Sequence, residues 1–208
     1  MSQEIKAVLF DFDGTLVDSE PVHFEAWKAV MEPLGVTISH QVFMERFVGV
    51  EDREAVRMVA EVQTPPRTFD ELWATFPRKQ EIFRQMMDVH PQVPQATRTL
   101  IADLKAAGYL LGVVTSSSSV EVSPMLDRNG IRQYLDVTVF CEDVTRRKPD
   151  PEPYLKALDT LQLSTALVLE DSRSGMTAAT SAGCEVIRVV DVHDVADLVR
   201  SRLNLFGD

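Results

Sequence analysis

The sequence predicts an α/β protein, a doubly wound parallel sheet with an all-helical insert after the first strand. Two observations carry this. Short, nearly continuous apolar runs alternate with helical patterns at the start of the chain and again from about residue 91 onward. Such runs belong to strands covered on both faces, as in parallel sheets. Residues 17–90 break the rhythm, showing apolar positions at helical spacing and no strand pattern.

The elements follow in order. Ile5 to Phe10 is an apolar run closed by Asp11-Phe12-Asp13-Gly14, a buried strand and its turn. In the insert, Phe24, Trp27, Val30, Met31 and Leu34 give one amphipathic helix. Val42, Phe43 and Phe47, then Val56, Val59 and Ala60, give two more. Leu72, Phe76, Phe83, Met86 and Met87 give a fourth helical region, and Thr64-Pro65-Pro66 marks a loop. Leu100, Ile101, Leu104 and Ala107 then form a helix, with Gly108 at its C-terminal stop. Tyr109 to Val114 is a second buried strand, and Asp136 to Phe140 a weaker candidate. Tyr154, Leu155, Leu158 and Leu161 share a helical face; Ala166 to Leu169 and Glu185 to Val190 are further strands. Between those strands Ala178, Ala179 and Ala182 run into Gly183, another helix stop. The predicted division is 1–16 with 91–208 as the α/β core and 17–90 as the insert.

Composition narrows the function. A length of 208 residues allows one sizeable domain, or a core with a modest insert. The net charge of −11 argues against nucleic acid and against anionic membrane surfaces as partners. No run approaches the roughly 20 apolar residues of a membrane span. The N-terminus enters a strand almost at once and carries no long apolar stretch, so a cytoplasmic protein is expected. Cys141 and Cys184 make neither a disulfide framework nor a zinc spacing and read as small core hydrophobes.

Four short segments hold residues capable of chemistry. Asp11 and Asp13 end the first strand, and in parallel α/β sheets the carboxyl ends of strands form the ligand crevice. Two neighbouring carboxylates attract a hard cation, although Asp-Gly also signals a plain turn. Glu170-Asp171-Ser172 ends another strand, either as a second acidic pair or as a helix cap. Thr115-Ser116 offers a hydroxyl and backbone N–H groups to an anion, or another cap. Lys148-Pro149-Asp150-Pro151 brings a cation just before a helix that Pro151 could open. Jointly they suit phosphoryl transfer: a nucleophilic carboxylate, a cation-binding set, and a lysine and hydroxyl for phosphoryl oxygens.

At this point the sequence resembles the haloacid dehalogenase superfamily of phosphotransferases, in the branch close to β-phosphoglucomutase. The match spans nearly the whole chain. Asp11-Phe12-Asp13-Gly14-Thr15 fits the first motif, Thr115 the second, Lys148-Pro149-Asp150-Pro151 the third, and Glu170-Asp171-Ser172 with Gly175 the fourth. The resemblance implies a Rossmann-like core and a helical cap. It implies that Asp11 is nucleophile and metal ligand. Asp13 would be the acid and base, with its backbone carbonyl on Mg²⁺. Thr115, the backbone at Ser116, and Lys148 would hold the phosphate. Asp171, and Glu170 through water, would serve Mg²⁺. In the cap it points to His23, Gly49 and Lys79 as substrate contacts; the alternatives are packing for His23 and a solvated charge for Lys79.

Three departures stand out. The mutase pattern has an arginine three residues after the cap glycine, and this chain has Asp52, followed by Arg53. A carboxylate there would repel a second phosphate. Arg147 stands where a glycine often precedes the lysine, and Gln95 follows Pro94 where glycine is common. The expectation is a Mg²⁺-dependent phosphatase of a small phosphorylated metabolite, with sugar phosphates as the expected class, acting through an aspartyl phosphate on Asp11. A β-phosphoglucomutase-type mutase is the alternative. A receiver domain is disfavoured by the insert, and a non-catalytic binder by the full set of acids with the lysine. A capped domain of this size can fold alone, so a monomer is expected.

Overall fold

In the computed structural model, residues 4–48, 50–62, 65–87, 89 and 93–205 are described. They fall into two units, Met1–Asp18 together with Gln92–Asp208, and Ser19–Pro91. The first unit opens with β1 (Ala7–Phe10), whose four residues are all buried. A strand buried on both faces loses the polar alternation of a half-exposed one, which is why it reads as a continuous apolar run.

The helical unit contains α1 (Glu20–Met31), α2 (His40–Arg46), α3 (Asp52–Val62), α4 (Phe69–Trp73) and α5 (Phe76–Met87). Its core joins Phe24, Trp27 and Met31 of α1 to Phe43, Val56 and Leu72. The first expected helix is shorter than its apolar pattern. It stops at Met31, and Leu34 lies in a 3-10 turn begun by Glu32 and Pro33. The fourth helical region is two helices. α4 ends at Trp73, and Pro77, which has no N–H to donate, sits in the first turn of α5, where that loss costs nothing. Val42 is exposed rather than core. Thr64 of the expected loop lies outside the described residues.

The first unit resumes with α6 (Gln95–Ala106), β2 (Leu110–Val114), α7 (Ser119–Arg128), β3 (Val137–Val139), α8 (Glu152–Leu161), β4 (Leu167–Glu170), α9 (Arg173–Ser181), β5 (Glu185–Arg188) and α10 (Val195–Leu203). Gly108 and Gly183 take positive φ just past α6 and α9, the left-handed stop a helix prefers. Among the described residues the sheet has five strands, all pairs parallel, in the order β3-β2-β1-β4-β5. α8 packs on β2 and β3, and α9 on β4 and β5. Ala7 and Leu9 join Tyr154, Leu158, Ala178 and Ala179 in one core cluster. Val8 and Phe10 alternate to the other face of β1, where they are equally buried. The sheet is therefore covered on both sides, the doubly wound arrangement the sequence predicts.

β5 is less buried than its apolar run suggests. It is an edge strand, it ends at Arg188, and Val190 is 83% exposed. Cys184 is buried, but Cys141 is only half-buried and its thiol donates to Glu142. Among the described residues no helix is long and apolar enough to cross a membrane.

Strand order fixes where chemistry can sit. The chain moves from β1 through β2 to β3 on one side, then returns to place β4 on the other side of β1. The crevice at such a reversal lies at the carboxyl ends of the central strands.

Candidate active site

β1 and β4 run parallel in register, Phe10 beside Leu169, so the residues that follow them emerge together. Asp11 N–H donates to the Leu169 carbonyl at 3.0 Å, extending the pairing one residue. Carboxylate oxygens of Asp11, Glu170 and Asp171 lie within 4.8 Å of one another. Lys148 reaches this group from the loop before α8. Its ammonium donates to Asp11 Oδ1 at 2.6 Å, to Glu170 Oε1 at 2.6 Å and to the Val114 carbonyl at 2.9 Å. The lysine side chain is 4% exposed and Glu170 is 0% exposed.

A buried charge persists only when paired and hydrogen-bonded; here Lys148 and Glu170 each make several such bonds, and the Asp11 carboxylate accepts from Lys148. Glu170 Oε1 also accepts from the Tyr154 hydroxyl at 3.2 Å, and Oε2 accepts from the backbone N–H and hydroxyl of Ser172, each at 2.9 Å. Ser172 in turn caps α9, accepting from Gly175 N–H. The cap that the sequence allowed at Glu170-Asp171-Ser172 thus exists, and Ser172 makes it, leaving both acids for the cluster.

Electrostatics follow from this crowding. Burial pushes the Asp11 carboxyl well above its ordinary range, with Glu170 and Asp171 adding repulsion against the pull of Lys148. Burial, then the charge of Glu170, raises Asp171 to about 6. Lys148 is held protonated: burial alone would lower it, but Asp11, Tyr154 and Glu170 outweigh that and raise it. Three oxygen donors that repel one another are chemically suited to a hard divalent cation, so the residues present fit Mg²⁺.

The turn after β1 is tight. Leu16 and Val17 N–H groups donate to the Phe12 carbonyl, and Gly14, at φ +74, donates to Val17. A Cβ on Gly14 would come 2.3 Å from Asp171 Oδ2, so only glycine lets this turn approach that carboxylate. Asp13 meets β2 through Ser117, whose hydroxyl donates to Asp13 Oδ2 at 2.6 Å. Thr115, buried at the end of β2, accepts from Ser117 N–H at 3.0 Å. That bond uses an oxygen lone pair and leaves the threonine O–H to be donated to an anion. Ser116 is exposed beside it.

Among the predicted residues, the structure brings Asp11, Lys148, Glu170 and Asp171 into one cluster, and links Asp13 to the Thr115 turn. Ser172 joins them as the helix cap its motif allows, and Ser117 and Tyr154 join them with no such signal in the sequence. Ser117 is hidden in a four-serine tract, and Tyr154 acts on Glu170 through a contact 16 residues apart that no local spacing encodes.

A second polar cluster lies within the helical unit. Lys79 is 2% exposed, which excludes a solvated surface charge. Its ammonium donates to both Asp52 oxygens at 3.1 and 3.0 Å and lies 2.9 Å from His23 Nδ1. Trp27 Nε1–H donates to Asp52 Oδ1 at 2.9 Å. The rings of Trp27, Phe76 and Phe83 surround the lysine, and His23 stacks on Phe83 at 4.1 Å. The Asp52 carboxylate, expected to repel a phosphate, is therefore balanced by Lys79. Arg53 lies elsewhere, its guanidinium over Phe69 and Trp73. Gly49 lies outside the described residues.

Sheet order, the acidic cluster and the lysine bound into it make up a candidate site at the strand reversal of an α/β fold. Residues 8–189 match the model of the haloacid dehalogenase-like hydrolases, and the chain belongs to that family. It is 34% identical over 196 residues to a phosphorylated carbohydrates phosphatase of Thermotoga maritima, covering 93% of this chain and 88% of the relative. Among solved structures it is similar to CbbY from Rhodobacter sphaeroides in complex with phosphate, with a TM-score of 0.71 and 30% identity over 89% of this chain and 87% of the other. A β-phosphoglucomutase from Clostridium difficile shares the fold at a TM-score of 0.75 and 19% identity, covering 98% and 99% of the two chains.

Proposed function

We propose that the protein is a Mg²⁺-dependent phosphatase of small phosphorylated metabolites, with sugar phosphates as the substrate class. The observation that carries this reading is the cluster of Asp11, Glu170 and Asp171 with Lys148 bonded into it, beside the Thr115 turn and Asp13. The named activity of the 34% identical relative on phosphorylated carbohydrates supports the substrate class.

Asp11 attacks phosphorus, forming an O–P bond as the bond to the leaving oxygen breaks. Asp13 gives its proton to that oxygen and so spares an alkoxide from departing. Thr115 O–H, Ser116 N–H and the Lys148 ammonium hold the equatorial phosphoryl oxygens, where negative charge gathers. The free alcohol leaves, and Asp13, now a carboxylate, takes a proton from the water that attacks the aspartyl phosphate. Phosphate departs and Asp11 is regenerated. When bound by Asp11, Asp171, the Asp13 carbonyl and, through water, Glu170, Mg²⁺ supplies positive charge that keeps the carboxylates ionised and offsets their repulsion of the phosphate.

The helical unit is read as a cap, the domain bounds being 17–90 against a core of 1–16 and 91–208. His23, Gly49 and Lys79 would be its substrate contacts. With Lys79 paired to Asp52, that cluster is balanced and its lysine is not a surplus charge for a second phosphate. That favours hydrolysis of monophosphates over mutase chemistry.

The test is free-phosphate release with Mg²⁺ across a panel of sugar phosphates, including β-glucose 1-phosphate with a check for glucose 6-phosphate. Release that EDTA abolishes is expected. Isomer formation without phosphate release would replace this reading with a mutase.

A further inference from the structure

The four-serine tract 116–119 looks like low complexity in sequence, yet its members do different things. Ser116 is exposed. Ser118 donates through its N–H and hydroxyl to Glu121 and opens α7. Ser119 N–H donates to Glu142. Ser117 alone of the four reaches the turn after β1, with its hydroxyl 2.6 Å from Asp13 Oδ2. We propose that Ser117 is a positioning residue for Asp13, holding that carboxyl in one orientation through both halves of the reaction. This rests on the reading of Asp13 as acid and base.

Two features carry it. First, Ser117 is anchored on both sides of its Cα. Its N–H donates to Thr115 Oγ1 at 3.0 Å, and its carbonyl accepts from Cys141 N–H at 3.1 Å. The ends of β2 and β3 thus fix the backbone from which the hydroxyl projects. A short bond from an anchored donor restrains the rotation of the Asp13 carboxylate about its χ angles. Second, the group is a hydroxyl. Its O–H donates to Oδ2 alone, which leaves Oδ1 to carry the proton exchanged with the leaving oxygen and then with water. The same serine also ties Asp13 to the Thr115 hydroxyl, so the proton donor and the phosphate-holding group share one support.

The test uses leaving groups of different basicity. A sugar alkoxide is strongly basic and needs Asp13's proton to leave; 4-nitrophenolate is weakly basic and does not. The quantity read is kcat/KM, which reports steps up to departure of the leaving group. For Ser117→Ala, kcat/KM on the sugar phosphate turned over fastest should fall by about 10- to 100-fold, part of the roughly 10²- to 10⁴-fold worth of a general acid. On 4-nitrophenyl phosphate it should fall by less than about 3-fold, since no proton is needed there. Ser117→Thr, which keeps the hydroxyl, should restore the sugar phosphate rate. A purely structural role would lower both substrates together, and equal loss, or no loss, overturns the proposal. Asp13→Asn separates the two readings: if it shows no leaving-group discrimination, the acid assignment fails. If it discriminates and Ser117→Ala does not, only the Ser117 proposal fails. A crystal structure of Ser117→Ala gives an independent answer, because an Asp13 carboxyl unmoved from its wild-type position would also overturn the proposal.

Discussion

Gly175 lies so close to Glu170 that a Cβ built on the glycine would come 1.6 Å from Oε1 and 2.3 Å from Oε2. The first turn of α9 is thus pressed onto a fully buried carboxylate, and its N-cap, Ser172, binds the same group. Glu170 cannot retreat easily, because Oε1 holds both Lys148 and Tyr154. Gly175→Ala should displace the carboxylate and loosen Lys148. The expected cost is about 2–4 kcal/mol of stability by urea denaturation, in the range of overpacking combined with a broken buried network. Phosphate release should fall at least about 100-fold, the scale of losing one preorganised charge-stabilising group. A variant with wild-type activity would show that α9 can move aside, and that Glu170 is not held by this contact.

The Lys79–Asp52 pair makes an asymmetric prediction. Lys79 is buried to 2% exposure, whereas the Asp52 side chain is 30% exposed. Removing the aspartate leaves a buried ammonium among aromatic rings; removing the lysine leaves a carboxylate that water can reach. Asp52→Ala should therefore destabilise the protein by about 3 kcal/mol, and Lys79→Met by clearly less, about 1 kcal/mol. Chemical denaturation of the two variants checks the order. Equal costs would mean that the ammonium finds water when its partner is gone.

Proton and metal should compete at Asp171. Burial and the neighbouring Glu170 charge raise its carboxyl to about 6, above the ordinary 3.8, so the folded protein binds a proton there more tightly than the unfolded chain does. For this group alone, the metal-free protein loses stability as pH rises from 3.8 through about 6. Mg²⁺ binding runs the opposite way, since it needs the carboxylate. On account of Asp171 affinity should weaken by about tenfold per pH unit below about 6, and more steeply wherever Asp11, whose carboxyl burial also raises, takes up a proton as well. Calorimetric titration with Mg²⁺ at about pH 5 and about pH 7 reads this directly, and the same Kd at both values would contradict it.

Much of the fold is legible because burial on both faces erases alternation. β1, β2 and β4 are continuous apolar runs in sequence and fully or nearly fully buried strands in the structure. β5 shows the limit of that signal. An edge strand with an apolar sequence looks the same, although it is half-exposed. α7 was not assigned from sequence, since serines open it and Pro124 interrupts its pattern. α10 was also missed; Val195, Ala196 and Val199 are its only buried positions, too few to stand out. At the site, the residues that follow strand ends could be read, because topology sends them to one edge. Ser117 and Tyr154 could not, since their place depends on three-dimensional contacts with Asp13 and Glu170. The Asp52–Lys79 pair is 27 residues apart in sequence, and neither residue's local pattern predicts that one neutralises the other.

In the proposed reaction Asp11 carries the phosphoryl group between substrate and water. Rapid acid quench of the enzyme turning over its best sugar phosphate, followed by borohydride reduction and peptide mass spectrometry, tests it most directly. Reduction of an acyl phosphate converts the aspartate to homoserine. Homoserine is expected at position 11, formed only with Mg²⁺ and substrate present, together with loss of turnover in folded Asp11→Asn. Homoserine at another carboxylate, or full turnover by Asp11→Asn, would contradict it.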